Sequence, residues 1–154
     1  MKRCAWCNLN NPKYIEYHDH EWGKLNTDEE YLFEMLILES FQAGLSWQCI
    51  LNKREAFKEA YEDFDIDKVI EFDEEKIEQL RNNPNIIRNK LKIKASISNA
   101  KIFKSIQEEY QTFYDYLCTF THGQIIYETE KTTSALSDSI SNDLKKRGMK
   151  FVGS

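Results

Sequence analysis

Residues 28–43, DEEYLFEMLILESFQA, followed by Gly44-Leu45-Ser46-Trp47, decide the fold class. Thr27 with Glu30 three positions on has the form of a capping box. Gly44 is the natural stop, because glycine accepts the backbone conformation that ends a helix. Apolar residues point in nearly every direction around this segment, which predicts a helix buried on most sides. Glu39 interrupts it. Leu32, Leu36, Glu39 and Ala43 follow helical spacing, so Glu39 falls on an otherwise apolar stripe. A carboxylate there is costly unless paired, hydrogen-bonded or protonated. Two readings stand: a core acid tied to an Arg or an amide, or an acid that lines a pocket and accepts hydrogen bonds from a ligand.

The rest of the chain reads as further helices. Pro12 opens a short helical stretch to Tyr17. Ser46 caps a helix from Trp47 to Tyr61, Asp65 caps a short one through Ile70, and Asp73 caps another that turns Ile77 and Leu80 inward. Asn82-Asn83-Pro84-Asn85 is a turn. A long helix spans Arg88 to Glu109, with Leu91, Ala95, Ile102 and Ile106 facing the core. Thr112 caps an aromatic helix from Phe113 to Phe120. Residues 122–134 read as loop, with an extended piece at Ile125-Ile126-Tyr127. A last helix runs from Ala135 to Arg147 and ends at Gly148. The class is all-α, a single-domain helical bundle with no strand pair and no repeat.

The chain has 154 residues, a net charge of −5 and four cysteines. It carries neither a membrane-length apolar run nor an apolar leader, so the expected compartment is the cytoplasm and the cysteines read as thiols or metal ligands. Charge is segregated. Acids dominate from Glu62 to Glu78, whereas Gln79 to Gln107 holds no acid but carries Arg81, Arg88, Lys90, Lys92, Lys94, Lys101 and Lys104. Lys145, Lys146, Arg147 and Lys150 form a second basic cluster. This suits one basic face on a mildly acidic protein; solvated helix surface is the plainer alternative.

Cys4, Cys7, His18 and His20 offer soft or borderline metal donors close together, or else a free thiol pair and surface histidines. Trp6, Tyr14, Tyr17, Trp22 and Trp47 flank the Glu39 helix. Each alone suits a core; together with an acid they suit a box for a flat, cationic ring.

Several stretches carry a resemblance: RCAWC at 3–7, YIEYHDHEWG at 14–23, the helix and turn ending QAGLSW at 42–47, NPNIIRNKLKI at 83–93, and SDSISNDLKKRGMKFVG at 137–153. In order and along essentially the whole chain, the sequence resembles the bacterial 3-methyladenine DNA glycosylase I family. That resemblance implies a helix-hairpin-helix-type glycosylase that hydrolyses the N-glycosidic bond of 3-methyladenine in double-stranded alkylated DNA, as a monomer. Carried over, Glu39 is the catalytic acid in the base pocket. Tyr17 and Trp47 contact the base, with Trp6 and Trp22 as further walls. Gly44 and Leu45 lie on the turn that meets DNA. Arg88, Lys90, Lys146 and Lys150 are phosphate contacts, and Cys4 and His18 are two ligands of a structural zinc. The family's hairpin continues into a second helix and then a His and a Cys that complete the zinc set; here the sequence stops at Ser154, just after the turn. Three explanations stand: a shortened product of a longer protein, a short form that recruits Cys7 or His20 to the metal, or loss of zinc; in each the expectation is an intact base reader with fewer of the family's zinc ligands. The alternative is a non-catalytic module that binds the base, or a purely structural helical module.

Overall fold

A computed structural model describes residues 3–122 and 134–153. Its helices are α1 (Pro12–His20), α2 (Glu29–Gln42), α3 (Trp47–Ala60), α4 (Ile66–Ile70), α5 (Glu74–Arg81), α6 (Lys90–Tyr110), α7 (Phe113–Thr121) and α8 (Ala135–Lys146), with a 3₁₀ turn at Glu62–Phe64. No strand occurs among the described residues. The all-α reading holds; the extended piece expected at Ile125 to Tyr127 lies outside the described residues.

Capping chemistry sets most helix starts. Ser46 Oγ accepts the Cys49 amide at 3.1 Å, Asp73 the Lys76 amide at 2.9 Å and Thr112 the Asp115 amide at 2.9 Å. Asp65 accepts from Asp67 and Lys68. The capping box at Thr27 does not form. Asp28 is the N-cap of α2 and makes no side-chain cap bond. Glu29, one of the two acids of the first turn, reaches elsewhere: it accepts the Phe113 amide at 2.6 Å and the Tyr114 amide at 3.2 Å. A carboxylate at the positive end of α7 is favourable for the same reason a cap is, so α2 begins by fastening a helix far away in sequence.

α6 runs through the centre and packs on α2, α4, α5 and α7. Phe33, Ile37, Leu38, Phe41, Ile93, Ala100 and Phe103 are fully buried in one continuous core. Leu91, expected to face inward, is 72% exposed, and the neighbouring Lys92 is buried instead. The α2 reading also needs correction. Its buried acid is Glu34; on the Leu32–Leu36–Glu39–Ala43 stripe the two leucines pack against the core, while Glu39 and Ala43 are exposed.

Buried tyrosines give the fold an alkaline limit. Tyr61 is fully buried and hydrogen-bonded to Ser96 Oγ at 2.8 Å. Burial raises its hydroxyl above the ordinary value of 10.0, and burial followed by the Asp143 contact does the same to Tyr116. A raised folded value means that the neutral phenol stabilises the fold. That contribution is complete below pH 10, the unfolded value, and is lost as pH rises through the folded value. We expect thermal melting temperatures to fall steeply above about pH 10, and the fall to be shallower in Tyr61→Phe.

Candidate active site

α1, α2 and α3 bring the sequence-predicted site residues to one region. Tyr14, Tyr17 and His18 share a face of α1 by helical spacing. The Tyr17 and Trp47 rings meet edge to face, with centroids 5.4 Å apart. Trp47 Nε1 is buried with no hydrogen-bond partner among the described residues. An indole N–H left so is a costly loose end within the protein alone, and it is available to an acceptor on a bound molecule.

Glu39 lies on the α2 wall of a cavity of about 330 Å³, shared with Leu36, Phe113, Leu117, Ile140 and Leu144. It makes no hydrogen bond or ion pair among the described residues. Water reaches its side chain, yet the surrounding protein displaces enough solvent that desolvation raises the carboxyl above an ordinary glutamate. Its charge is felt at Tyr17, whose hydroxyl is pushed up to about 12, first by burial, then by Glu39 and then by Glu21. Tyr17 is therefore a neutral hydroxyl at physiological pH. Tyr17 itself borders a different cavity, of about 260 Å³, with Glu21, Glu34 and Arg54.

Trp6 and Trp22 form a second aromatic group. Their rings meet at 5.3 Å; Trp6 also touches Tyr14, and Trp22 stacks on His18 at 5.6 Å with planes 13° apart. They are 42% and 40% exposed, and neither ring touches Tyr17 or Trp47. The five expected base-site residues thus divide into Glu39 on its cavity, the Tyr17–Trp47 ring pair whose tyrosine feels the charge of Glu39, and the exposed Trp6–Trp22 pair.

Cys4 and His18 are adjacent. The Cys4 amide donates to His18 Nε2 at 3.2 Å, and His18 Nδ1 faces Asp19 at 3.0 Å. Asp19, clamped by Arg3, is held well below the usual carboxylate range, first by the Arg3 hydrogen bonds and then by His18. Nε2 therefore already has a donor. Cys7 Sγ faces the Tyr14 carbonyl at 3.8 Å. Among the described residues no three His, Cys, Asp or Glu side chains gather in a way that could hold a metal ion. These residues do not by themselves fit a zinc site.

The expected nucleic-acid contacts lie at turns held along α6. Gly44 has φ +79°, with open space where a Cβ would stand, and Leu45 is 39% exposed. Lys92 Nζ donates to the carbonyls of Phe41 at 2.9 Å and Ala43 at 2.6 Å, just before that turn. Asn99 grips the backbone of Lys150 at both its N–H, 3.0 Å, and its carbonyl, 2.9 Å. Lys92 and Asn99 are two helical turns apart, which spaces the two attachment points by about 10.5 Å along the axis of α6. Arg88, Lys146 and Lys150 are exposed, Lys90 is half-buried, and none of these side chains has a protein partner among the described residues. Other members of the basic set are engaged internally: Arg81 with Glu78, Lys104 with Asp67, Arg147 with Glu109 and Asp143, and Lys92 as described.

Sequence reasoning missed Arg54. Its Nε and Nη2 make a two-bond fork on Glu34, each 3.0 Å, and Nη1 reaches Glu21 at 2.7 Å. Three charges on three helices give no local pattern that periodicity could reveal.

Comparison with known proteins fits this arrangement. The methyladenine glycosylase family model matches residues 6–154. DNA-3-methyladenine glycosylase 1 of Escherichia coli (strain K12) is 42% identical over 160 residues, spanning 99% of this chain and 84% of the relative. A crystal structure of 3-methyladenine DNA glycosylase I superposes with a TM-score of 0.93 at 40% identity, covering 99% of this chain and 86% of that one. A single-substitution variant of such an enzyme, solved in complex with 3-methyladenine, superposes at 0.91 with 36% identity, covering 99% and 85%. With the fold, the ordered set of motifs and near-complete coverage in agreement, the chain belongs to the methyladenine glycosylase family.

Proposed function

We propose that this chain is a DNA repair glycosylase that hydrolyses the N-glycosidic bond of 3-methyladenine in alkylated DNA. The observation that carries this reading is Glu39, a carboxylate without a hydrogen-bond or ion-pair partner among the described residues, exposed in a cavity and close enough for its charge to act on Tyr17. Such an acid has no structural work to do, whereas a base edge with N–H donors would satisfy it.

The chemistry asks little of the protein. The base must leave the duplex stack before its edges can be read. The 3-methylated nucleoside is cationic, so its base is already a good leaving group. As the C1′–N9 bond breaks, the bonding electrons go to N9 and the base departs neutral. Water then supplies hydroxide to C1′ and releases a proton, in a monofunctional scheme without a lysine adduct. Glu39 accepts from the base, and its charge favours the cation and the developing sugar charge. Trp47 Nε1 donates to an acceptor on the ring. Tyr17, neutral at physiological pH, packs against Trp47 and bounds the base. Trp6 and Trp22 offer further aromatic surface to a flat cation.

We assign Gly44 and Leu45 to the lesion side of a double-stranded substrate, and Arg88, Lys90, Lys146 and Lys150 to its phosphates. We further propose a cytoplasmic monomer, to be checked by sedimentation and cell fractionation. No helix among the described residues is long and apolar enough to cross a membrane. Zinc is proposed only as an ion held by Cys4 and His18, an incomplete protein ligand set; metal analysis of the purified protein tests it. No step above depends on it.

The decisive experiment incubates the chain with methylated duplex DNA and measures released bases by chromatography. Release of free 3-methyladenine is expected. Its absence, from a protein that melts cooperatively, would overturn the assignment.

A further inference from the structure

We infer that Arg54 is the positioning residue of the base site: a single guanidinium fastens together the three helices that carry Tyr17, Glu39 and Trp47. The inference rests on the glycosylase reading above and deepens it.

Each arm of the network reaches a different helix and ends close in sequence to one base-site residue. Glu21 closes α1; its amide and that of Trp22 donate to the Tyr17 carbonyl at 2.9 and 3.0 Å. Fixing Glu21 therefore fixes the turn that presents Tyr17. Glu34 lies on α2, five residues before Glu39, and Arg54 lies on α3, seven residues after Trp47. The fork on Glu34 sets the distance and rotation between α2 and α3, because a planar guanidinium donates two parallel bonds from its Nε–Nη2 edge to a carboxylate only when the two groups are coplanar. The third bond, to Glu21, adds α1. Tyr17 and all three charged groups border the same cavity of about 260 Å³, so the network reaches Tyr17 through space as well as along the chain.

A network kept only for stability is a poor choice at this depth. The side chains are 20%, 12% and 21% exposed for Arg54, Glu34 and Glu21. At such sites the cost of removing charges from water offsets much of their attraction, and an apolar pair of similar volume is often as stable. What an apolar pair does not supply is a fixed orientation between helices.

The test uses the full chain, free 3-methyladenine as the probe and tryptophan fluorescence as the binding signal. Arg54→Met is expected to weaken binding of the free base about tenfold through displaced site residues, and to lower the melting temperature. Its affinity for undamaged duplex should fall far less than its affinity for the free base, because the proposed phosphate contacts Arg88, Lys90, Lys146 and Lys150 lie around the start of α6 and the end of α8. Arg54→Lys, with charge but no fork, should fall between. The double variant Arg54→Met with Glu34→Met should regain melting temperature while base affinity stays low. Wild-type base affinity in Arg54→Met, or recovery of affinity together with melting temperature in the double variant, would reduce the network to a structural one and overturn the inference. Failure of the wild-type chain both to bind and to release the base is a separate result. It would overturn the glycosylase reading, and the inference with it, before any variant is compared.

Discussion

Glu39→Gln is expected to slow single-turnover release of 3-methyladenine by about a hundredfold or more, while leaving the protein at least as stable as the wild type. The size follows from removing one fixed charge aimed at developing positive charge, in a site that a bound base would close to solvent. The stability half follows from the sign of the carboxyl's shift. Desolvation raises Glu39 above the ordinary glutamate value of 4.5. For an acid, a raised folded value means that the ionised form is disfavoured by folding; the penalty is present at neutral pH and relieved as pH falls through the folded value. Glutamine carries no such penalty and loses no protein contact, since Glu39 has none among the described residues. A residue that costs stability and has no polar partner among the described residues is what a site tuned for its ligand looks like. The same shift fixes the acid limb of the pH–rate profile. Activity should be lost on acidification at a pH above that of an ordinary glutamate, and this limb should vanish in Glu39→Gln. A variant that melts lower yet releases the base at the wild-type rate would remove Glu39 from the chemistry.

What the sequence disclosed, and what it hid, follows the range of the forces involved. Ser46, Asp65, Asp73 and Thr112 were legible because a cap acts on amides two or three residues away. Thr27 failed because the N-cap falls one residue on, at Asp28, where Glu29 answers to the distant amides of Phe113 and Tyr114. Of the two acids five positions apart on α2, only a partner on another helix decides which is structural. Arg54 chooses Glu34, and Glu39 is left to the cavity. The site residues themselves were named from motif resemblance. The structure adds their division: Tyr17 with Trp47 in one ring contact, Trp6 with Trp22 and His18 in another.

Leu91 and Lys92 show the same limit on α6 and lead to the second large effect. Periodicity assigns the leucine inward, but a lysine stem is itself apolar and can fill a buried position if its ammonium finds acceptors. Lys92 finds them in the last carbonyls of α2, which no intrahelical donor reaches. Its burial pulls the ammonium below the ordinary lysine value, so the cost of desolvation is real. Two charge-assisted bonds at the negative end of a helix dipole outweigh it. Lys92→Met keeps most of the stem and deletes only the ammonium. The expected loss is about 2 kcal/mol of folding stability, because the buried Phe41 carbonyl is left unsatisfied and the part-buried Ala43 carbonyl loses its charged donor, read as a shift of the urea midpoint with an unchanged slope. The functional consequence is sharper than the thermodynamic one. The freed carbonyls lie immediately before Gly44 and Leu45, so the turn assigned to the lesion side of DNA loses its anchor while Glu39, higher on α2, keeps its place. Release from duplex DNA should drop about tenfold or more, as expected for a displaced contact residue, with binding of free 3-methyladenine preserved. Equal losses for duplex and free base would instead mean that the whole α2 helix had moved, and that Lys92 supports the helix and not the turn.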